Sequence, residues 1–468
     1  MKSHRRSQRR FAANVFRPRV EALERRLCLT CTVIQDGANL YITGGNTAND
    51  LAIQQDEAGY HVACDGGSIA TFRGVERAII SMGSGNDSVE VAYGTGVYRP
   101  ADLVAHLGAG DDSLDLRAGW QTNDGGSIKF DIWMGPDDDR LTAFLPHIEQ
   151  RLQLNADLGA GNDTFSGSIL PPSDVAAAGG GAWSVAVQGQ QGDDEMSLML
   201  GGPVAGPAPH LINANLNLML DGGVGADQVR MMIDASVVAA GAELNVGVDG
   251  GAGADEVGII IDYRTATAAA ESIQVDAGSG ADQVGIIVNY RTATLDALFD
   301  VSVDGGSGDD ELTFDTAAGG ESPGPHLING DLNVMLDGGA GDDHEFIHSG
   351  DNTWAGNVAF IASGGAGADE IGITFGGTVA DGASLSIGVD SGSGDDLVRG
   401  SFGFDPATHG VIAIILQGAS GDDDLTLDIS GLSNPNEPRA RVDGGPGFDV
   451  AHVTRNVEVD NCETVFFI

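Results

Sequence analysis

The chain has 468 residues, of which 42% are hydrophobic, so it carries enough apolar side chains to build a core. It contains 71 glycines, about twice the average share, and its formal net charge is −45. A surface this acidic repels nucleic acid and anionic membranes and attracts cations, so nucleic acid is excluded as a partner. No apolar run reaches the about 18 residues of a membrane-spanning helix, which predicts no membrane span.

Residues 1–30 are basic, whereas the remainder of the chain is acidic. They hold nine Lys or Arg against two Glu, a net charge of +7, which leaves −52 for residues 31–468. No apolar stretch of about 7–15 residues follows the arginines, so the sequence predicts no ordinary secretory signal here. The segment "FRPRVEALERRLCL" resembles the N-terminal LEPR-x-L-L motif of exported bacterial proteins, with "LERRLCL" as an imperfect copy. The resemblance implies export, and a disordered basic tail is the alternative.

Residues 31–80 are predicted to form an N-terminal capping β region. "ITGGNTANDLAI", around Asn49, resembles a degenerate opening turn. The chain has too few cysteines for disulfides to stabilise a fold of this length: Cys28, Cys31, Cys64 and Cys462. The "CLTC" spacing lacks a second pair, so it is a weak signal for a metal or redox site.

A repeated phrase, G-x-G-x-D, fills residues 81–455. Three degenerate copies, "GPDDD", "GQQGDD" and "GASGDD", lie in the gaps between eleven strict ones. A spacing near 27 residues over most of the chain is typical of a solenoid. The strict copies end at Asp87, Asp112, Asp163, Asp227, Asp255, Asp282, Asp310, Asp343, Asp369, Asp396 and Asp449, and the degenerate ones at Asp139, Asp194 and Asp423.

The segments on either side of each turn have the periodicity of strands. In "LNVGVDGG", Leu244, Val246 and Val248 alternate with Asn245 and Gly247, and the alternation resumes after the turn. One unit cannot bury its apolar faces alone, whereas stacked units can. The sequence therefore predicts an all-β fold, a parallel β-solenoid with one Gly-Asp turn per coil, with a chain of separate hairpins as the weaker alternative.

The composition of the turns indicates calcium. Glycines let backbone carbonyls converge, and aspartate adds a short anionic oxygen donor, which together form the ligand set that calcium prefers. Coils stacked about 4.8 Å apart bring neighbouring carboxylates together. Each pair repels by roughly 1 kcal/mol in water and about 3.5 kcal/mol at an effective dielectric constant near 20. A divalent cation between two carboxylates turns this repulsion into net attraction, so all fourteen aspartates are candidate calcium ligands.

"GGVGADQV", "GGAGADEV" and "GGSGDDEL" resemble the hemolysin-type (RTX) calcium-binding nonapeptide. The resemblance implies a secreted bacterial protein with a parallel β-roll and calcium ions between successive turns. The family's turns recur about every nine residues and alternate between two edges. Here one turn per coil matches, which implies a single column of sites.

Two other motifs suggest chemistry. "HEFIH", His344–His348, matches the zinc-protease pattern, which requires a helix, but it aligns with the strands that follow the other turns. On a strand, the two histidines lie about 13 Å apart, too far to share one zinc ion. The paired Tyr263–Arg264 and Tyr290–Arg291 suggest a carbohydrate groove, but their tandem copies favour a stacked ladder.

"VEVDNCETVFFI" has no Gly-Asp turn, so residues 456–468 are predicted to be a C-terminal capping strand. The sequence thus predicts a non-enzymatic, calcium-binding structural or adhesive protein, extracellular or on the bacterial surface. Cell-surface polysaccharide or matrix is the candidate macromolecular partner. The alternatives are a β-helix carbohydrate-active enzyme of the lyase or epimerase type and, more remotely, a zinc peptidase at "HEFIH".

Overall fold

Two long, mainly parallel β-sheets form the protein. The computed structural model describes residues 31–468 except 95–100, 119–126, 147–150, 171–180, 202–210, 213, 236, 239–241, 264–269, 291–293, 296–297, 317–326, 433–438 and 455. The basic segment 1–30, with its export motif and Cys28, lies outside the described residues. So do Arg264 and Arg291.

The first sheet holds the strands that precede the turns. Its members are Thr32–Asp36, Asn39–Thr43, Arg77–Ser84, Ala101–Ala109, Ser127–Pro136, Arg151–Ala160, Gly181–Gln191, Ala214–Val224, Glu243–Ala252, Ala270–Asp276, Leu298–Asp304, Leu332–Ala340, Asn357–Ala366, Ser384–Asp390, Val411–Gln417, Arg439–Asp443 and Glu458–Asp460.

The second sheet holds the strands that follow the turns. Its members are Asp50–Asp56, Gly59–Cys64, Gly67–Phe72, Ser88–Tyr93, Ser113–Ala118, Arg140–Pro146, Thr164–Leu170, Glu195–Leu200, Gln228–Ala235, Glu256–Tyr263, Gln283–Tyr290, Glu311–Asp315, His344–Trp354, Glu370–Val379, Leu397–Phe404, Asp424–Ser430, Val450–Val453 and Thr464–Phe467. Four two-residue strands lie in the other connections: Leu211–Ile212, Val237–Val238, Thr294–Leu295 and Leu327–Ile328.

Each coil runs from one sheet through a Gly-Asp turn into the other sheet and then on to the next coil. Strands of neighbouring coils pair in parallel and in register, as Leu244 does with Leu216 before it and Glu271 after it. Successive turn aspartates are 24 to 33 residues apart. The predicted parallel β-solenoid is therefore confirmed, and separate hairpins are excluded for these strands.

The N-terminal end of the stack is closed by antiparallel strands. Thr32–Asp36 covers the edge of the first sheet, and Gly59–Cys64 with Gly67–Phe72 extends the second. A disulfide joins Cys31 to Cys64 across this region. At the other end, Glu458–Asp460 and Thr464–Phe467 continue both sheets without a Gly-Asp turn.

The core fills the space between the sheets. Alternate side chains of each strand point inward, so Val246 and Val248 are buried from one sheet, and Ile259 and Ile261 from the other. Aromatic rings pack along the axis in the later coils, where the centroids of Trp354 and Phe375 lie 5.6 Å apart. The described residues include no helix long and apolar enough to cross a membrane.

Candidate metal site along the turn edge

The fourteen predicted ligand aspartates lie in one column at the edge where the sheets meet. All are buried, with 0–3% of each residue exposed. Thirteen of them donate their backbone N–H to Oδ1 of the aspartate in the next coil, over 2.6–3.0 Å. We call this column the aspartate ladder; its members are Asp87, Asp112, Asp139, Asp163, Asp194, Asp227, Asp255, Asp282, Asp310, Asp343, Asp369, Asp396, Asp423 and Asp449.

The ladder extends by one residue at each end. The N–H of Asn49 donates to Asp87 Oδ1 over 2.6 Å, so the "GGNTAN" segment forms the opening turn. The N–H of Asp449 donates to Glu463 Oε2 over 2.8 Å, so Glu463 closes the column. The three degenerate turns are full members, because Asp139, Asp194 and Asp423 make the same contact as the strict ones.

The second carboxylate oxygen distinguishes this ladder from ordinary turn capping. In all fourteen aspartates Oδ2 is buried and has no hydrogen-bond partner among the described residues. A buried polar atom left unpaired costs about 1–3 kcal/mol, and more when it is charged. Such atoms usually indicate a missing ligand, such as a proton or a cation.

The glycines are required by the close approach of the coils. Gly251 and Gly253 have φ of 99° and 149°. A Cβ on Gly253 would lie 1.5 Å from the carbonyl oxygen of Gly225 in the preceding coil. The first glycine of the turn, Gly250, has a different neighbour, because its Cβ would lie 2.5 Å from the Ala277 carbonyl oxygen and 3.0 Å from Asp255 Oδ2. The same pairing of Oδ2 with a carbonyl oxygen occurs at Gly189, Gly222, Gly305, Gly364, Gly418 and Gly444.

The ladder carboxyls hold protons more tightly than ordinary aspartates. Burial, the largest cause, raises the pKa of Asp139 to about 8 and that of Asp255 and Asp310 to about 7. The backbone hydrogen bond to Oδ1 lowers each pKa, and the charges of neighbouring ladder aspartates raise it again. Without a cation, the carboxyl of Asp139 is therefore mostly protonated at neutral pH, and those of Asp255 and Asp310 are about half protonated.

Two more carboxylate rows flank the ladder. One lies at the end of the first-sheet strands, where five aspartates of successive coils stand opposite one another: Asp221, Asp249, Asp276, Asp304 and Asp337. None of these five aspartates forms an ion pair with a basic side chain of the described residues. Further along the same row, at the C-terminal end, Arg441 pairs with Asp443 and Asp460. The other row is exposed and directly precedes the ladder residues: Asp111, Asp138, Asp193, Asp309, Asp342, Asp395 and Asp422.

The oxygen donors of the turns are of the kind that calcium binds, although each turn contributes few carboxylates. Calcium takes about six to eight oxygens from carboxylates, carbonyls and water. Each turn offers one unpaired Oδ2, which lies near a carbonyl oxygen at seven of the turns, and the flanking rows add negative charge. Across the described ranges no three His, Cys, Asp or Glu side chains form a metal-binding group by themselves. One ladder carboxylate per coil means that each site would depend on backbone oxygens and water.

"HEFIH" begins the strand His344–Trp354, as the sequence predicts. His344 and His348 point outward on it, and their nearest acidic partners are Glu370 at 3.8 Å and Asp315 at 3.5 Å. In the register of adjacent coils, Tyr263 lies opposite Tyr290.

Two features were missed by the sequence analysis. Glu345 points into the core beside the ladder, and Cys31 pairs with Cys64. The inward position of Glu345 could have been found from its alignment with apolar residues of other units, such as Val229.

No protein-family model matches the chain, and no curated protein is recognisably similar to it in sequence. Its class therefore rests on the geometry itself. The chain is a repeat protein with a parallel β-solenoid fold. Within that class it is defined by a single buried aspartate ladder, which runs the length of one edge.

Proposed function

We propose that this protein binds calcium along the aspartate ladder and that binding is coupled to folding. The observation that carries the proposal is the row of fourteen buried Oδ2 atoms without partners among the described residues. A cation beside each turn would supply the missing partner and compensate the mutual repulsion of the carboxylates. The turn carbonyls supply the neutral donors.

Coupled folding follows from the location of the sites. Each one is built from two coils, so it exists only when the coils are stacked. A ligand that binds only the folded state stabilises that state by mass action. Extracellular calcium modules have dissociation constants of about 10⁻⁴–10⁻³ M, which external calcium saturates and the cytoplasm does not. The chain would then stay loosely structured until it is exported.

The disulfide supports an oxidising location. Disulfides persist in secreted and surface proteins and are rare in reducing compartments. Together with the acidic solenoid, the Cys31–Cys64 bond supports a secreted or surface-displayed bacterial protein of the hemolysin-type class, with a structural or adhesive role.

The test is circular dichroism of the full chain during a calcium titration after chelation, with magnesium as the control. We expect a cooperative gain of β signal with calcium and little change with magnesium. A β-rich spectrum that is indifferent to chelator and to calcium would refute the proposal, because the ladder would then be satisfied by protons alone.

One groove favours polysaccharide as the macromolecular partner. It has a volume of about 370 Å³ and is lined by Trp133, Pro136, Asp157 and Gln190 among others. Trp133 is 41% exposed, and its ring stacks on His106 with a centroid distance of 4.4 Å. A half-exposed indole beside amide and carboxylate groups suits a sugar ring. The groove has one carboxylate, whereas glycoside hydrolysis generally uses a pair of carboxylates, so binding fits better than hydrolysis.

Affinity electrophoresis in gels that contain acidic or neutral polysaccharides tests this partner. Trp133→Ala should abolish any retardation of the protein, while Phe144→Ala, at a similarly exposed aromatic on the other sheet, should leave it unchanged. Retardation that survives Trp133→Ala would exclude this groove as the binding site.

A further inference from the structure

Glu345 is an anomaly of the core. It occupies an inward position of its strand, where the residues opposite it in the neighbouring coils are Leu312 and Ile371. Its relative exposure is 0%, and neither carboxylate oxygen has a hydrogen-bond partner among the described residues. A buried, unpaired carboxylate is among the most costly groups a core can hold, so its presence needs a ligand.

The side chain points at the ladder. A Cβ on Gly338 would lie 2.4 Å from Glu345 Oε1 and 2.7 Å from Asp343 Oδ2, so two unpaired carboxylate oxygens converge beside one glycine. In the preceding coil the same position, Gly305, faces only one carboxylate, that of Asp310. The turn at Asp343 therefore has twice the carboxylate donors of its neighbour.

The surroundings of Glu345 are acidic. Its pKa is raised to about 9, mainly by burial and then by the charges of Asp369, Asp343 and Asp337 in that order. The Gly338 N–H lies close enough to lower this pKa slightly, but it makes no hydrogen bond with either oxygen. His344 is on the outward face of the strand beside Glu370, so its imidazole does not compensate this charge.

We propose that Glu345 and Asp343 together form a divalent-cation site distinct from the repeated turn sites and that it is the tightest site in the column. The inference deepens the proposed function and rests on it. Calcium affinity rises with the number of charged ligands, and this turn offers two carboxylates where the others offer one. Within a column whose sites fill as coils stack, the tightest site would be occupied first. It would fix the coils around Leu332–Ala340 and His344–Trp354.

Internal duplication supplies the test variant. The unit around Asp343 copies the unit around Asp227, as "PHLINGDLNVMLDGG" copies "PHLINANLNLMLDGG". The residue of that unit equivalent to Glu345 is Val229, which is fully buried. Glu345→Val therefore restores a side chain that already packs in a sister coil, and Glu345→Gln keeps the shape without the charge.

Isothermal titration of the full chain with calcium, after chelation, measures the sites. We expect the wild type to show one class at least about tenfold tighter than the remaining sites, in line with the range of calcium-site affinities. Glu345→Val and Glu345→Gln should lose that tight class and keep the weaker sites. Leu312→Val, a conservative change at the same position one coil earlier, should keep both classes.

Two outcomes would overturn the inference in different ways. If both Glu345 variants bind calcium as the wild type does, Glu345 is a neutral carboxylic acid in the core, and the proposed function stands without it. If the wild type binds no calcium, the proposed function fails and the inference fails with it. Circular dichroism of each variant separates lost binding from lost folding, and Glu345→Gln decides the case if Glu345→Val does not fold.

Discussion

The N–H of Asp282 donates to Oδ1 of Asp310 over 2.8 Å, whereas Oδ2 of Asp310 is buried without a partner. These two atoms of one carboxylate have different roles. Oδ1 holds adjacent coils in register and needs no metal. Oδ2 is the atom that a cation or a proton has to satisfy, so substitutions can separate the architectural role from the binding role.

Asp310→Asn should stabilise the calcium-free protein, while Asp310→Ala should destabilise it. The amide of asparagine keeps an oxygen acceptor for the Asp282 N–H. Its NH₂ group can donate to the Gly338 carbonyl oxygen, which lies near Oδ2. Alanine leaves the Asp282 N–H unpaired, at a cost of about 1–3 kcal/mol.

Chemical denaturation measures these effects. In chelator, the free energy of unfolding should decrease from Asp310→Asn to the wild type to Asp310→Ala. On addition of calcium, the free energy of unfolding should increase less for Asp310→Asn than for the wild type. Equal gains would show that this carboxylate binds no calcium.

Gly253→Ala should lower the free energy of unfolding by at least about 2 kcal/mol, because φ is strongly positive and the added methyl meets a carbonyl oxygen. Gly258 is the matched control, since it lies five residues later, has no such φ, and a Cβ there would meet nothing within 4 Å. Gly258→Ala should change stability by less than about 0.5 kcal/mol. Thermal unfolding followed by circular dichroism compares the two, and similar melting temperatures would contradict the tight stacking of the turns.

Without calcium, the protein should be most stable in acid. The ladder carboxyls of Asp255, Asp310 and Asp423 have a pKa of about 7 in the folded protein, against an ordinary value of 3.8. The folded state therefore binds more protons than the unfolded chain at intermediate pH. The stabilisation that these protonated carboxyls contribute should be fully present below about pH 4 and should be lost as the pH rises to about 8.

Calcium should reverse this trend, because it binds the deprotonated carboxylates. The gain in stability on adding calcium should be small near about pH 5 and largest above about pH 8. Denaturation curves at the two pH values, with calcium and with chelator, measure the effect. A gain from calcium that does not depend on pH would mean that the cation binds the flanking acidic rows and not the ladder.

Cys31→Ser should destabilise the N-terminal cap by about 3–4 kcal/mol, the loop-entropy value for cross-linking residues 33 apart. Cys462→Ser, which removes the free, half-buried thiol, is the control and should have little effect. Limited proteolysis of the two variants, with mass spectrometry of the fragments, shows whether residues 31–64 become accessible. Equal resistance in both variants would show that the antiparallel strands hold the cap without the bond.

Much of the fold was predictable because its determinants are local. Alternation at Leu244, Val246 and Val248 specifies strands, and the glycines and aspartate of "DGGAGAD" specify a turn wherever the phrase occurs. Repetition then fixes the stacking, since each unit can bury its apolar face only against a copy of itself. The ladder residues were found for the same reason, including the degenerate turns at Asp139, Asp194 and Asp423.

The partners of individual atoms depended on the tertiary structure. Whether Oδ1 or Oδ2 of Asp310 is satisfied depends on a backbone group 28 residues earlier in the chain. The inward position of Glu345 follows from the register of its strand with its neighbours, and the Cys31–Cys64 bond follows from the antiparallel cap. Local sequence determines which conformations a segment adopts, whereas burial and charge compensation depend on groups that only stacking brings together. For this protein, the sequence alone determined the solenoid and its acidic edge, and the tertiary structure decided which oxygens on that edge lack a hydrogen-bond partner among the described residues.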